Sequence, residues 1–270
     1  MSASSSMLMK QFFRRASNAA AHIPPGCRAY AVGDIHGRAD LLDELLARIE
    51  EDHRSRGHAT GMVIFLGDLI DRGPDSAGVV ERLRGYAPDG ITPRFLLGNH
   101  EEVLLRLLAG ERGVLKSWLT FGGAECLESY GVDPASIRGM SEEQGLEEIA
   151  RAIPAAHQAF LGGFADTARL GDYLFVHAGI RPGLDLSLQS QTDLRWIRAP
   201  FLDDDRDHGF IVVHGHTITD GIVERPNRIG IDTGAYRSGV LTALAIEGGK
   251  RWFLDTTGAI VPTADEQRVH

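Results

Sequence analysis

Five short polar clusters interrupt the apolar runs of this 270-residue chain: Gly33-Asp34-Ile35-His36-Gly37, Gly67-Asp68-Leu69-Ile70-Asp71-Arg72-Gly73, Gly98-Asn99-His100-Glu101, His177-Ala178-Gly179 and His214-Gly215-His216-Thr217. Carboxylates, imidazoles and an amide oxygen are what two closely spaced divalent cations require: a carboxylate that bridges, further donors to complete each shell, and an open side for water and substrate. That equipment suits hydrolysis of phosphate esters. Asp34 and His36 are two apart, so in an extended or turn segment both can face one cation. Asp68 follows the next apolar run, where its carboxylate can reach two metals; Asn99 adds a neutral oxygen, and His177 and His216 add ring nitrogens. One Asp-x-His alone is more often a surface turn. The ordered set of clusters is what carries the reading.

Something must bring these distant residues together. After Pro24-Pro25-Gly26, Arg28 to Val32 reads as a strand ending at Gly33-Asp34. Leu41, Leu42, Leu45, Leu46 and Ile49 recur at helical spacing and predict a helix over about 39–55. Met62 to Leu66 is a short apolar run without alternation, as in a strand covered on both faces. A helix from Asp75 to about Tyr86 and a strand from Arg94 to Leu97 complete a βαβαβ start, which right-handed crossovers turn into a parallel sheet. Ligands of such sheets gather beyond the carboxyl ends of the strands, so Asp34, Asp68 and Asn99 converge there.

The stretch from Glu101 to Phe164 reads as mainly helical, with breaks at Gly122-Gly123 and at Tyr130-Gly131-Val132-Asp133-Pro134. Its Trp118 and Phe121 read as core aromatics, with a place in the cleft wall as the alternative. Strand signals return at Tyr173–Val176, Phe210–Val213, Arg228–Asp232, Gly239–Ile246 and Arg251–Leu254, the last three spaced like an antiparallel meander. The expected architecture is α/β: an αββα sandwich of two mixed sheets flanked by helices.

With 43% hydrophobic residues the chain can bury a large core in one domain, expected over residues 28–263 between an N-terminal tail, 1–27, and a C-terminal one, 264–270. The 28 basic and 37 acidic side chains leave a net charge of −9, which argues against a nucleic-acid partner; a phosphate must be drawn locally, by metals and a few arginines in a cleft. Cys27 and Cys126 form no zinc spacing or disulfide framework and fit reduced thiols in a cytoplasmic protein. Residues 1–25 have no continuous apolar stretch, so neither a signal peptide nor a membrane span is expected; a frayed tail is, with Phe12, Phe13, Arg14 and Arg15 able to touch a surface weakly.

The clusters GDIHG, GDLIDRG, GNHE, HAG and HGHT, in this order between residues 30 and about 237, resemble the PPP-type phosphoprotein phosphatases among the calcineurin-like metallophosphoesterases, in their compact bacterial and phage form. The resemblance implies a serine/threonine protein phosphatase acting on a phosphoprotein or phosphopeptide, with two divalent metals, usually manganese, although iron or zinc suit the same ligands. Asp34, His36 and Asp68 would hold the first metal; Asp68, Asn99, His177 and His216 the second. His100 would be the general acid, oriented by Asp71, and Arg72 would grip the phosphate while metal-activated water attacks phosphorus in line without a phosphoenzyme. A second phosphate arginine is expected in Trp196-Ile197-Arg198, with Arg195 and Arg181 as rivals to Arg198, and Tyr236 falls where related enzymes carry a cleft tyrosine.

Two local features bear on the ligands. Ile218 stands where the wider superfamily often ends a Gly-His-x-His run, leaving the first metal one imidazole poorer, and His214 lies two residues from His216 and so competes with it. A symmetrical dinucleoside tetraphosphate hydrolase shares the metal motifs but typically carries alanine in place of Asp71 and aspartate in place of Glu101, so both residues favour the phosphomonoesterase. A catalytically silent phosphate-binding module would lack a ligand or His100, and none is missing.

Overall fold

The computed structural model describes residues 21–258 and 260–262. The predicted surface contact of Phe12 to Arg15 and the predicted tail 264–270 lie outside them. In chain order the first half comprises β1 (Cys27–Val32), α1 (Ala39–Ser55), β2 (Thr60–Phe65), α2 (Ser76–Arg84), β3 (Ile91–Phe95) and a helical block. That block is α3 (Asn99–Leu108), α4 (Leu115–Trp118), α5 (Ala124–Ser129), α6 (Pro134–Arg138), α7 (Glu142–Ala152) and α8 (Ala155–Leu161). The second half follows as β4 (Thr167–Leu170), β5 (Tyr173–Val176), α9 (Gln191–Trp196), β6 (Ile211–His214), β7 (Val223–Arg225) and β8 (Arg228–Gly230). Then come α10 (Ala235–Ser238), β9 (Thr242–Glu247), β10 (Lys250–Asp255) and β11 (Ile260–Pro262).

These strands form two mixed sheets flanked by helices, the expected sandwich. One sheet has the order β11-β10-β9-β1-β2-β3 and the other β4-β5-β6-β8-β7. Strands β1, β2 and β3 are parallel, as are β5, β6 and β8, while β9 runs antiparallel to β1. Alternation along the buried strands divides the core: Tyr30, Val32, Val63 and Phe65 face the helices, whereas Ala29, Ala31, Ile64 and Ile229 fill the space between the sheets. The small alanines of β1 allow the sheets to approach. Leu194, Ile197 and Phe201 cover the outer face of the second sheet against Leu174, Val176 and Val212.

Several sequence expectations change. The third strand begins at Ile91 rather than Arg94, because β3 is a sheet edge, where Pro93 needs no ladder donor. The supposed meander is divided: β8 belongs to the second sheet, and of the three strands only β9 and β10 pair with each other. Phe121 is 67% exposed rather than core. The packed chain also starts earlier than residue 28, since Ile23 is buried and its N–H donates to Gly248 O at 3.0 Å. Cys27 and Cys126 are free. Among the described residues no helix is long and apolar enough to cross a membrane.

The sheets approach closely at Gly33, where an added Cβ would lie 2.5 Å from the carbonyl oxygen of Ile231. Gly33→Ala must push the strand ends apart, and overpacking of this kind costs about 1–3 kcal/mol. A urea midpoint equal to that of the wild type would contradict this account of the close approach.

Candidate metal centre

Asp34 follows β1, Asp68 follows β2, Asn99 follows β3, His177 follows β5 and His216 lies two residues past β6, so both sheets deliver polar residues to one edge. Among the described residues, the non-glycine ones with left-handed backbone are His36 (φ 46°), Asp68 (50°), Asp71 (70°), Arg72 (67°) and His216 (63°), all of them predicted site residues. Each costs about 1–2 kcal/mol relative to ordinary backbone and persists only where surrounding contacts over-determine it. Here the N–H groups of Ile35 and His36 both donate to Asp68 O, at 3.1 and 2.9 Å, and tie the first two loops together.

Two groups of donors result: His36, Asp68 and His100 in one, and Asp68, His177 and His216 in the other, the donor atoms of each lying within 4.8 Å of one another. Asp68 belongs to both. His177 Nε2 stands 3.0 Å from Asn99 Oδ1, 3.2 Å from His216 Nδ1 and 3.4 Å from Asp68 Oδ1. Asp34 lies outside both groups; its carboxylate accepts from the N–H of His216 at 3.0 Å and packs against Gly215. His214 also belongs to neither, its ring edge-on to Phe201 and its Nδ1 3.0 Å from Gly215 O.

The chemistry of the donors fits a pair of divalent cations. His36 Nδ1 lies 2.8 Å from Ile70 O and His177 Nδ1 lies 2.9 Å from Leu66 O. A carbonyl only accepts, so both rings carry a proton on Nδ1 and turn Nε2 toward Asp68. His216 Nε2 is buried without a partner. Burial, helped by His177, lowers the pKa of His216 to about 3, and burial likewise lowers that of His36. Neutral imidazoles are the form that ligates a metal. Burial opposes ionisation of Asp68, but His177, His100 and His36 hold it well below the usual carboxylate range. Asp34 is raised well above that range by burial and by the nearby charges of Asp232 and Asp68.

Beside the first group, His100 Nδ1 lies 2.7 Å from Asp71 Oδ2. Burial works against a charged His100, yet the carboxylates of Asp68 and Asp71 outweigh it and raise its pKa. Arg72 donates to His36 Nε2 at 2.7 Å and lies 5.2 Å from the ring of Tyr236, which meets His36 edge-on. Of the rival arginines, Arg181 is clamped by Asp193 at 2.6 Å and Arg195 by Asp166 at 2.6 Å. Arg198 is exposed, and its charge reaches His216.

Two supporting residues escaped the sequence reading. Trp118, weighed there as core or cleft wall, is buried and also donates its indole N–H to Asp71 Oδ2 at 2.9 Å. Glu101, which served there only to separate rival families, is fully buried and accepts from the N–H groups of Asp68, Leu69 and Gly98 at 2.9, 2.7 and 3.0 Å. Its position two residues after Asn99, at the start of α3, was the available signal. Glu101→Gln would set an amide N–H against a backbone N–H and leave buried donors unmatched, a loss of about 1–3 kcal/mol. Denaturant unfolding of the cation-free chain measures this, and an unchanged midpoint would remove Glu101 from its bracing role.

Comparisons with known proteins bear on the same edge. The model of the calcineurin-like phosphoesterases matches residues 27–240. The asymmetrical bis(5'-nucleosyl)-tetraphosphatase PrpE of Halalkalibacterium halodurans is 29% identical over 235 residues, covering 79% of this chain and 87% of that protein. A symmetrical bis(5'-nucleosyl)-tetraphosphatase of Paracidovorax citrulli is 29% identical over 267 residues, covering 80% of this chain and 91% of the relative. Among solved structures, one provisionally named a diadenosine tetraphosphatase superposes with a TM-score of 0.61 at 23% identity, covering 88% of this chain and 98% of the other. A cold-active protein tyrosine phosphatase superposes with a TM-score of 0.54 at 17% identity, covering 89% and 81%. These relatives are not specifically PPP-type protein phosphatases, so the resemblance holds at the broader level. With a matching family model spanning most of its length, and clustered His and Asp donors that could hold metal ions where two sheets meet, the chain belongs to the calcineurin-like phosphoesterase family.

Proposed function

We propose that this chain hydrolyses the phosphoanhydride bridge of dinucleoside tetraphosphates, with Asp34, His36 and Asp68 holding one divalent cation and Asp68, Asn99, His177 and His216 another. The observation that carries the substrate is the match to PrpE over 87% of that enzyme's length, joined by symmetrical tetraphosphatases of similar identity. When bound, the cations would neutralise phosphate charge and activate water. Manganese suits these donors, as do iron and zinc.

The remaining work falls to the chain's own groups. Arg72 and Arg198 neutralise and orient the phosphates through forked N–H donors. His100, whose Nδ1 is anchored by Asp71, presents Nε2 toward the reacting edge and protonates the departing oxygen. Trp118 holds the same oxygen of Asp71, Oδ2, through its indole N–H. A groove of about 490 Å³ bordered by Gly37, Arg38, Asp40, Pro74, Asp75 and Tyr236 adjoins Arg72. Its size suits a nucleoside, and Tyr236 offers an aromatic surface at its border.

A second reading, serine/threonine protein phosphatase, is favoured by the Asp71–His100 pair itself, because an alkoxide leaving group needs a proton more than a nucleotide phosphate does. The manganese-loaded protein assayed side by side decides. Diadenosine tetraphosphate should exceed phosphoserine, phosphothreonine and phosphotyrosine peptides in kcat/KM by about tenfold or more, a difference of at least about 1.4 kcal/mol in transition-state binding. Faster turnover of the peptides would instead establish the second reading.

The acid role has its own test. His100→Asn should lose about 10²–10⁴-fold on phosphoserine peptide, the usual range of acid catalysis, and distinctly less on the dinucleotide, whose leaving group departs readily as an anion. Equal losses on both substrates would contradict His100 as the acid.

A further inference from the structure

Strand β8 runs parallel to β6 with His214 opposite Gly230, and the N–H of Ile231 donates to His214 O at 3.0 Å. Continuing that register sets Asp232 opposite His216, at the edge where five other strands deliver their polar residues. Asp232 is 1% exposed. Its Oδ1 accepts from the N–H of Gly234 at 2.9 Å, whereas its Oδ2 is buried without a donor. His216, which that register sets opposite Asp232, donates its N–H to the Asp34 carboxylate at 3.0 Å, so both carboxylates belong to the same buried edge.

A carboxylate braced by the backbone through one oxygen, bare on the other and turned toward a second buried carboxylate is poised to ligate a cation. The two ends of the site are also unequal. His177 and His216 supply two imidazoles at one end, whereas at the other His36 is the single imidazole left once His100, the second histidine of that donor group, is given to acid catalysis. We propose that Asp232 is a further ligand of the cation held at the Asp34 and His36 end, a carboxylate completing a shell that is short of donors. This inference rests on the two-cation reading above.

The test is Asp232→Asn, followed by binding of Mn²⁺ alone. The N–H of Gly234 must keep the amide oxygen, so the NH₂ group turns toward Asp34; it can donate a hydrogen bond there but cannot ligate. Wild-type chain should retain about two equivalents of Mn²⁺ after desalting and show the paramagnetic signature of a coupled pair. The D232N chain should retain about one, with the spectrum of an isolated ion, and bind the second at least about 100-fold more weakly. The substitution removes a buried like charge, so cation-free D232N should melt at or above the wild-type temperature. Two equivalents held at wild-type affinity by D232N would overturn the assignment while leaving the two-cation reading intact. So would cation-free D232N that melts well below the wild type, which would make the Asp232 carboxylate a structural requirement of the cation-free fold. A wild-type chain that binds only one equivalent would overturn the two-cation reading and this inference with it.

Discussion

Crowded, buried carboxylates are the constraint around which this structure is arranged. Asp34, Asp68, Asp71, Glu101 and Asp232 are each at most 2% exposed, and all stand at the same edge of the sandwich. Removing one ionised carboxylate from water costs several kcal/mol, and like charges so close add to that cost. The fold answers each differently. Glu101 accepts backbone N–H groups, Asp71 accepts from His100 and Trp118, and Asp68 is ringed by imidazoles and by the N–H at the start of α3. Asp34 and Asp232 have fewer answers within the protein, and they mark the place where a cation would relieve the remaining charge.

This arrangement explains why the backbone bends where it does. A strand followed directly by a helix would carry its polar side chains past the edge, whereas left-handed residues at His36, Asp68, Asp71, Arg72 and His216 turn them back into it. Glu101 braces the loop after β2 by accepting from the successive N–H groups of Asp68, Leu69 and Ile70. Local strain, burial of Glu101 and placement of Asp68 are therefore one coupled feature. The wide sheets supply the rigidity against which it is held, since the strand ends are fixed by pairing and by the close approach at Gly33.

Much of this was legible in the sequence because each cluster sits at the end of an apolar run, and strand ends of parallel sheets converge. The α1 periodicity and the β5 run were read with their observed bounds. What escaped depended on partners distant in sequence. β4 and β7 are only four and three residues long, too short for a periodic signal, and Pro93 disguised β3. Asp232 was missed for a topological reason. A strand about ten residues before another can form a hairpin with it or lie in the opposing sheet, and only long-range pairing decides. Once β8 is placed beside β6, Ile231-Asp232 becomes another strand end at the edge rather than the start of a turn. Trp118 illustrates a different limit, since periodicity marks a buried aromatic but not the carboxylate that its indole reaches.

The central claim, that Asp68 bridges two cations between the sheets, is tested most directly by anomalous diffraction at the manganese edge from crystals grown with Mn²⁺. The account predicts two peaks that share Asp68, one also coordinated by Asp34 and His36 and the other by Asn99, His177 and His216. A single peak, or peaks that leave Asp68 uncoordinated, would contradict it.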